Sequence, residues 1–442
     1  MSTIIWFIIK AFAFINVFGN DNICKMGQKM TTYSLIYNGT LINGSGDEPL
    51  LNAAILIKDD KIVAVGEENS ISLPDEEIKK IDAGGMFILP GFIDTHVHVM
   101  TDGFKDEDTL YDPLSLFFYK GAENLRKTIE AGVTTIRDAG LADLGVKMAV
   151  EQGLILGPRM LISVMPLSIT GGHFDFWRDS GFDIKVSYPG FPEHICDGIP
   201  EVRKRVREIL RCKADFIKVM VTGGVISAND SPEYTQFTVE ELKVMVEEGK
   251  SHDNIKVMAH GHGAEGIKNA LKAGVHSIEH GSYLDDEAIQ IMVDQGTYLV
   301  PTFIAMIYNK KSAESGDLPE WAVKNALEIV DIHRDNVKKA YEAGVHIAMG
   351  TDCGVIPHGI NLEELGFLCD MGMSAEEAIV AGTKTAAECI GYDDEIGTIE
   401  EGKLADVIIC KKDPIAHIKS LGNPDNIIIV MKDGKIVKDL RN

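Results

Sequence analysis

The chain has 442 residues, 45% of them hydrophobic, with 43 basic and 67 acidic side chains and a net charge of −24. That length exceeds what one small core requires and accommodates a large α/β barrel with an accessory domain. The acidic balance excludes nucleic acid as a partner, because a phosphate backbone requires a basic surface.

Charge leaves the fold open, but it suits a soluble cytoplasmic protein or one from a saline habitat. The seven cysteines (24, 196, 212, 353, 369, 389 and 410) are scattered and include no CxxC pair. They make neither a disulfide framework nor a Cys-rich zinc site, and they predict a reducing compartment.

The chain opens on MSTIIWFIIKAFAFINVFGN, strongly apolar but interrupted by Lys10. It lacks a basic leading region and a small-residue cleavage site, and it is short and broken for a membrane span. A weak signal peptide, a membrane-surface anchor, and translated upstream sequence ahead of a start at Met26 or Met30 all fit; the last is favoured. Residues 1–30 are therefore set apart. The expected location is cytoplasmic, with secretion left open by this segment, and no membrane contact is expected of the folded part.

Residues 31–90 read as short strands and turns: SLIYNGTLING, AAILIKDDKIVAVG and KKIDAGGMFILP. Their Asn-Gly and Asp-Asp pairs are turn and hairpin signals. Residues 399–442 repeat the style in GTIEEGKLADVIIC and NIIIVMKDGKIVKDL. Neither end has enough strands for a stable sheet alone, so the two are expected to join in one small β-sandwich.

Between them, residues 91–398 alternate apolar strands with helices. The strands are GFIDTHVH, GVTTIRDAG, RMLISVMPLS, FIKVMVTGG, IKVMAHGHG, GVHSIEHG, TYLVPTF and GVHIAMGTD. Clear helices include PEVRKRVREILRCKA, TVEELKVMVEEGKSHD and AEGIKNALKAG, several closing on a C-capping glycine. Eight strands alternating with helices predict a (β/α)8 TIM-like barrel, and hence an α/β fold with the sandwich appended.

Barrel chemistry is expected at the C-terminal strand ends. In GFIDTHVH, residues i and i+2 share a face, so Asp94, His96 and His98 line one side. A divalent metal is the natural occupant of two adjacent imidazoles. The other strand ends add Lys218, His260 with His262, His280, and Asp352, and the loop after the third strand adds His173. So many buried titratable groups at one mouth point to metal. The remaining histidines (194, 252, 276, 333, 346, 358 and 417) are expected to be mostly ordinary surface residues, with His358 a weak pocket candidate.

HVH, Lys218, the histidines of AHGHG and IEHG, and GTDCG resemble the amidohydrolase superfamily across residues 33–440. TGGHFD (170–175), IKVMVTGGVIS (217–227) and TQFTVEEL (235–242) bring the chain nearer its prolidase-like group. That group includes Xaa-Pro and Xaa-Arg/Lys dipeptidases and ochratoxin-hydrolysing amidases, and the wider likeness extends to imidazolonepropionase-like amidohydrolases. The resemblance implies two divalent metal ions, zinc foremost. His96 and His98 would hold the more buried ion and His260 and His280 the second. Lys218, carboxylated by CO2, would bridge them, and Asp352 would be the acid of the last strand.

By the same resemblance a hydroxide between the metals attacks an amide carbonyl. Asp352 orients it, takes its proton and passes a proton to the leaving amine. His173 would donate to the oxyanion or hold substrate. His262 and Tyr234 are candidates for hydrogen bonds to a substrate carboxylate. Arg137 is read as a structural ion pair with Asp138 or another neighbour. The long loop 174–198 suits a lid or pocket wall. Its Trp177 and Tyr188 could stack on a substrate ring, or its Asp175 or Asp179 could bind a basic side chain; both readings stay open. The expected substrate is a small molecule, a dipeptide or N-acyl amino acid with a free carboxylate. A cyclic amide, lactone, carbamate or phosphoester is the alternative on the same site, and a non-catalytic scaffold the remote one. A homo-oligomer is expected.

Overall fold

The computed structural model describes residues 31–103, 110–185, 187–227, 230–318 and 320–441. The apolar extension of residues 1–30, with its three readings, lies outside them. Five strands open the described chain: β1 (Tyr33–Leu41), β2 (Leu50–Lys58), β3 (Lys61–Glu67), β4 (Ile78–Asp82) and β5 (Phe87–Pro90). Seven more follow in the middle: β6 (Phe92–Val97), β7 (Val133–Asp138), β8 (Arg159–Ile162), β9 (Ile217–Met220), β10 (Val257–Gly261), β11 (Ser277–His280) and β12 (Tyr298–Val300). Three close it: β13 (Val407–Cys410), β14 (Ile427–Lys432) and β15 (Lys435–Asp439).

The two ends form one sheet in the order β15-β14-β13-β5-β1-β2-β3, with β4 parallel to β1. The seam is the antiparallel pairing of β5 with β13, which sets Leu89 opposite Ile408. One apolar interior takes Ile36, Ile55 and Ile88 from the first strands and Val407, Ile409 and Ile429 from the last. This is the β-sandwich built from both termini. Asp59 (φ 56) and Asp433 (φ 49) turn the two look-alike hairpins. Those turns touch: a Cβ on Gly434 would lie 2.1 Å from the Asp59 carbonyl oxygen, so only glycine fits. Asn38-Gly39 is not a turn. Asn38 (φ 58) makes a bulge within β1, where the register with β2 shifts between Ile36 and Gly39.

The middle strands run parallel in two arcs, β6-β7-β8 and β9-β10-β11-β12. Backbone hydrogen bonds join the arcs into a ring. Leu167 donates to the Lys218 carbonyl (2.8 Å) and Met220 to Leu167 (3.0 Å), linking β8's extension to β9. The eighth strand, GVHIAMGTD, is held by single bridges rather than a regular ladder. Leu299 donates to His346 (2.9 Å) on one side, and on the other Thr95 donates to Met349 (3.0 Å) and His98 to Cys353 (2.6 Å). The barrel is therefore closed.

Around it run α1 (Leu114–Glu130), α2 (Leu144–Glu151), α3 (Ile199–Arg211), α4 (Val239–Ser251), α5 (Ala264–Ala273), α6 (Asp286–Gln295), α7 (Phe303–Ser315), α8 (Glu320–Glu342), α9 (Glu363–Met371), α10 (Ala375–Ala381) and α11 (Lys384–Ile390). Helix α4 starts on a Thr238–Glu241 capping box, and α5 ends at left-handed Gly274, as the sequence patterns predict. Barrel and sandwich are tied by Arg159, at the start of β8, which reaches Asp406 (2.7 Å) and Asp433 (2.5 Å). Among the described residues no helix is long and apolar enough to cross a membrane.

Gly350 sits where the eighth strand squeezes between its neighbours. A Cβ there would lie 2.3 Å from Val300 Cγ1 and 3.0 Å from His96 Cβ. Gly350→Ala should destabilise the fold by about 1–3 kcal/mol through this overpacking. A wild-type denaturation midpoint would refute the placement.

Candidate metal centre

The barrel mouth gathers side chains from distant stretches of sequence. β6 delivers His96 with His98 just past its end, β9 Lys218, and β10 His260 with His262 just past its end. β11 delivers Glu279 and His280, and the eighth strand Asp352. All are buried. Alternation in β11 should send Glu279 and His280 to opposite faces. His280 instead has left-handed backbone (φ 67), as does Asp352 (φ 60). Both side chains therefore meet the others, and such strained backbone is typical of functional sites.

Each imidazole is held by its outer nitrogen. His96 Nδ1 lies 2.9 Å from Glu279 Oε2, His98 Nδ1 3.4 Å from the Gly140 carbonyl, and His260 Nε2 3.2 Å from the Gly223 carbonyl. Those partners only accept, so the proton sits on the outer nitrogen and the inner one presents a lone pair. His280 Nδ1 contacts Thr302 Oγ1 at 2.7 Å and His262 Nδ1 contacts Ser282 Oγ at 2.8 Å. Burial, then the neighbouring Lys218, holds His98 down to about 3. Burial, followed by nearby cationic and imidazole groups, keeps His96, His260 and His280 well below the ordinary range. All are neutral, the form that ligates metal.

Lys218 Nζ is 3.5 Å from His96 Nε2. Among the described residues no carboxylate lies within ion-pair distance of it. Burial lowers its pKa, against the pull of Glu279 and Asp352. Asp352 Oδ1 lies 3.4 Å from both His96 Nε2 and His98 Nε2, and burial raises its pKa. Two sets of ligand atoms fall within 4.8 Å of one another: His260, His262 and His280, and His96, His280 and Asp352. His280 belongs to both. Neutral imidazoles and a carboxylate form a donor set that fits divalent cations.

The other expected residues fall into place as follows. Asp94 accepts from Thr351 Oγ1 (2.6 Å) and Asn361 Nδ2 (2.8 Å) and so moors the Asp352 loop to β6. His173 stacks on His260 at 4.5 Å, with Nδ1 3.4 Å from Asp230 Oδ2. Tyr234 is 64% exposed at the rim. Arg137 pairs with Glu279 (3.0 Å), not Asp138, whose carboxylate instead accepts from the Val99, Gly140 and Ala142 amides. Tyr188 is tied by its hydroxyl to Asp143, while Trp177 is exposed.

Two histidines expected on the surface, His194 and His333, are buried, as is His358, the weak pocket candidate. Each serves a loop or helix contact that strand periodicity does not reveal. His358 braces the segment after His98 through the Thr101 carbonyl (3.1 Å). Glu279, Asp230, Ser282 and His333 were not singled out in the sequence. Glu279 had a readable signal, since Ser277 and Glu279 share the inward face of GVHSIEHG. The others lie on loops and a helix whose approach only the fold sets.

The chain is similar to known proteins. The Amidohydrolase family matches residues 87–437. Ochratoxinase of Aspergillus niger is 36% identical over 92% of this chain and 86% of its own. Imidazolonepropionase of Caldanaerobacter subterraneus is 28% identical over 82% and 84%. Among solved structures, a Xaa-Pro dipeptidase with methionine in its active site superimposes at a TM-score of 0.83 and 35% identity, covering 92% of this chain and 100% of that one. The chain belongs to the amidohydrolase family and is a hydrolase of C–N bonds.

Proposed function

We propose that this hydrolase cleaves the amide bond of a dipeptide or N-acyl amino acid carrying a free carboxylate. The observation that carries the reading is Lys218: fully buried, ringed by neutral imidazoles, with no carboxylate in ion-pair range among the described residues. A lysine amine there, depressed by burial, is suited to add CO2 and become the anion that two cations would share. The relatives named for amide and dipeptide hydrolysis support the reading.

His96, His98, His260 and His280, carboxylated Lys218 and Asp352 would hold the two ions, zinc foremost. Bound there, the ions supply Lewis acidity and lower the pKa of water. Asp352 takes the proton of the attacking water and returns it to the departing amine, so that water and amide become carboxylic acid and amine. His173, stacked on His260 with the Asp230 carboxylate 3.4 Å from Nδ1, serves the oxyanion or holds the substrate. Tyr234 at the rim serves the substrate carboxylate.

Asp352→Asn should keep its metal and lose about 10²–10⁴-fold in kcat. Full turnover would remove Asp352 from the proton-transfer role. Glu279→Gln should weaken metal affinity roughly 10–100-fold, because the His96 imidazole loses the carboxylate that orients it. Metal titration of the two proteins reads this, and equal affinities would contradict it. A dipeptide and N-acyl amino acid library decides the substrate class. Cleavage of lactones or phosphotriesters, with every library member intact, would overturn the amide reading.

A further inference from the structure

One buried carboxylate has no place in the chemistry above. Glu364, early in α9, is fully buried, and among the described residues no basic side chain pairs with it. Its partners are two backbone amides at the start of α7: Phe303 N donates to Oε1 at 2.8 Å and Ile304 N to Oε2 at 2.7 Å. Phe303 and Ile304 are themselves buried, so water cannot replace Glu364 as the acceptor. A helix N-terminus also favours an anion. The segment ahead of Glu364 is anchored in turn, since Asn361 Nδ2 donates to Asp94 on β6 at 2.8 Å.

A carboxylate is needed here because the ordinary cap is engaged elsewhere. Thr302 is the N-cap residue of α7, and a threonine in that position usually turns its hydroxyl onto the amides of its own helix. Thr302 makes no such bond. Its backbone is left-handed (φ 53, ψ 45), a conformation that a β-branched residue rarely adopts, and its hydroxyl contacts His280 Nδ1 at 2.7 Å. His280 is the ring at the middle of the cluster, 5.1 Å from His96 and 4.6 Å from His260 between ring centres. Such strain persists only where the surroundings over-determine it. The bonds from Glu364 to the next two residues supply that constraint.

We infer that Glu364 is a positioning residue for the metal centre: by capping α7 in place of Thr302, it leaves the Thr302 hydroxyl to hold the His280 ring. Without the carboxylate, Thr302 relaxes to the usual capping geometry. Its hydroxyl then turns to the Ile304 or Ala305 amide, and His280 loses the contact that orients it. Glu364 acts only through Thr302, from a helix that follows the eighth strand, whereas His280 ends β11. The inference rests on the reading of the barrel mouth as a metal site and is independent of the substrate class.

Zinc affinity, measured by competition with a chelator and without substrate, tests it. Thr302→Val keeps the side-chain shape and loses the hydroxyl, so it should weaken zinc binding about tenfold or more, while Thr302→Ser should keep the wild-type affinity. Glu364→Gln gives one amide an oxygen and turns an NH2 toward the other, and it should also weaken zinc about tenfold. In the Thr302→Val background the same change should add less than about twofold, because the hydroxyl it acts through is gone. Wild-type affinity in Glu364→Gln, or losses that multiply in the double variant, would overturn the inference. Should Glu364→Gln fail to fold, Glu364→Asp, with both oxygens on a shorter stem, takes its place under the same criteria. Ile429→Ala, in the sandwich interior, is the control for general loosening: it should lower the denaturation midpoint and leave zinc affinity unchanged. Zinc weakened equally there would make the Glu364 effect generic and refute the positioning role. A wild type that takes up no divalent ion would refute the metal centre itself, whereas ions bound equally by every variant would refute the role of Glu364 alone.

Discussion

One buried carboxylate organises the mouth of this barrel. Glu279 accepts from His96 Nδ1 with one oxygen and from Arg137 with the other, and Ser277 donates to it as well. Burial pushes its pKa up against the pull of Arg137 and Lys218. Removing one partner of such a buried pair typically costs about 3–5 kcal/mol, because the other charge is stranded. Arg137 also donates to the Thr95 carbonyl at 2.6 Å, so the same network that orients His96 fixes the backbone of β6 beneath it. The position of the first ligand pair depends on a charge supplied from five strands further along the chain.

The same logic repeats around the site. Each inward nitrogen is defined by what stands behind the ring: a carboxylate for His96, carbonyls for His98 and His260, hydroxyls for His262 and His280. These outer partners decide whether an imidazole offers a lone pair or a proton. A list of histidines does not distinguish a ligand from a donor; their surroundings do. Lys218 belongs to this pattern by having no such partner, and that absence among the described residues gives it chemical meaning.

Backbone strain supplies the remaining convergence. His280 and Asp352 sit in left-handed conformation at strand ends, each at a cost of about 1–2 kcal/mol. The regular ladder of the eighth strand is given up in the same place, and Asp94 replaces it with side-chain bonds to Thr351 and Asn361. Irregularity here is what lets side chains from successive positions share one face.

Much of this was legible in the sequence because it rests on periodicity. Alternating apolar runs marked the strands, glycines marked the helix ends, and two-residue spacing put His96 with His98 and His260 with His262. The likeness of ILIKDDKIVAVG to IVMKDGKIVKDL announced two hairpins whose turns meet in the fold. Side chains on helices and loops followed no such rule. His333 looked like a helix-surface residue and is buried against Ser282. Arg137 looked like the partner of its neighbour and crossed the barrel to Glu279. Local pattern determines which residues face inward along one element. Which of them touch, and which ring nitrogen keeps its proton, is set by packing between elements far apart in the chain, and that only the tertiary structure decided.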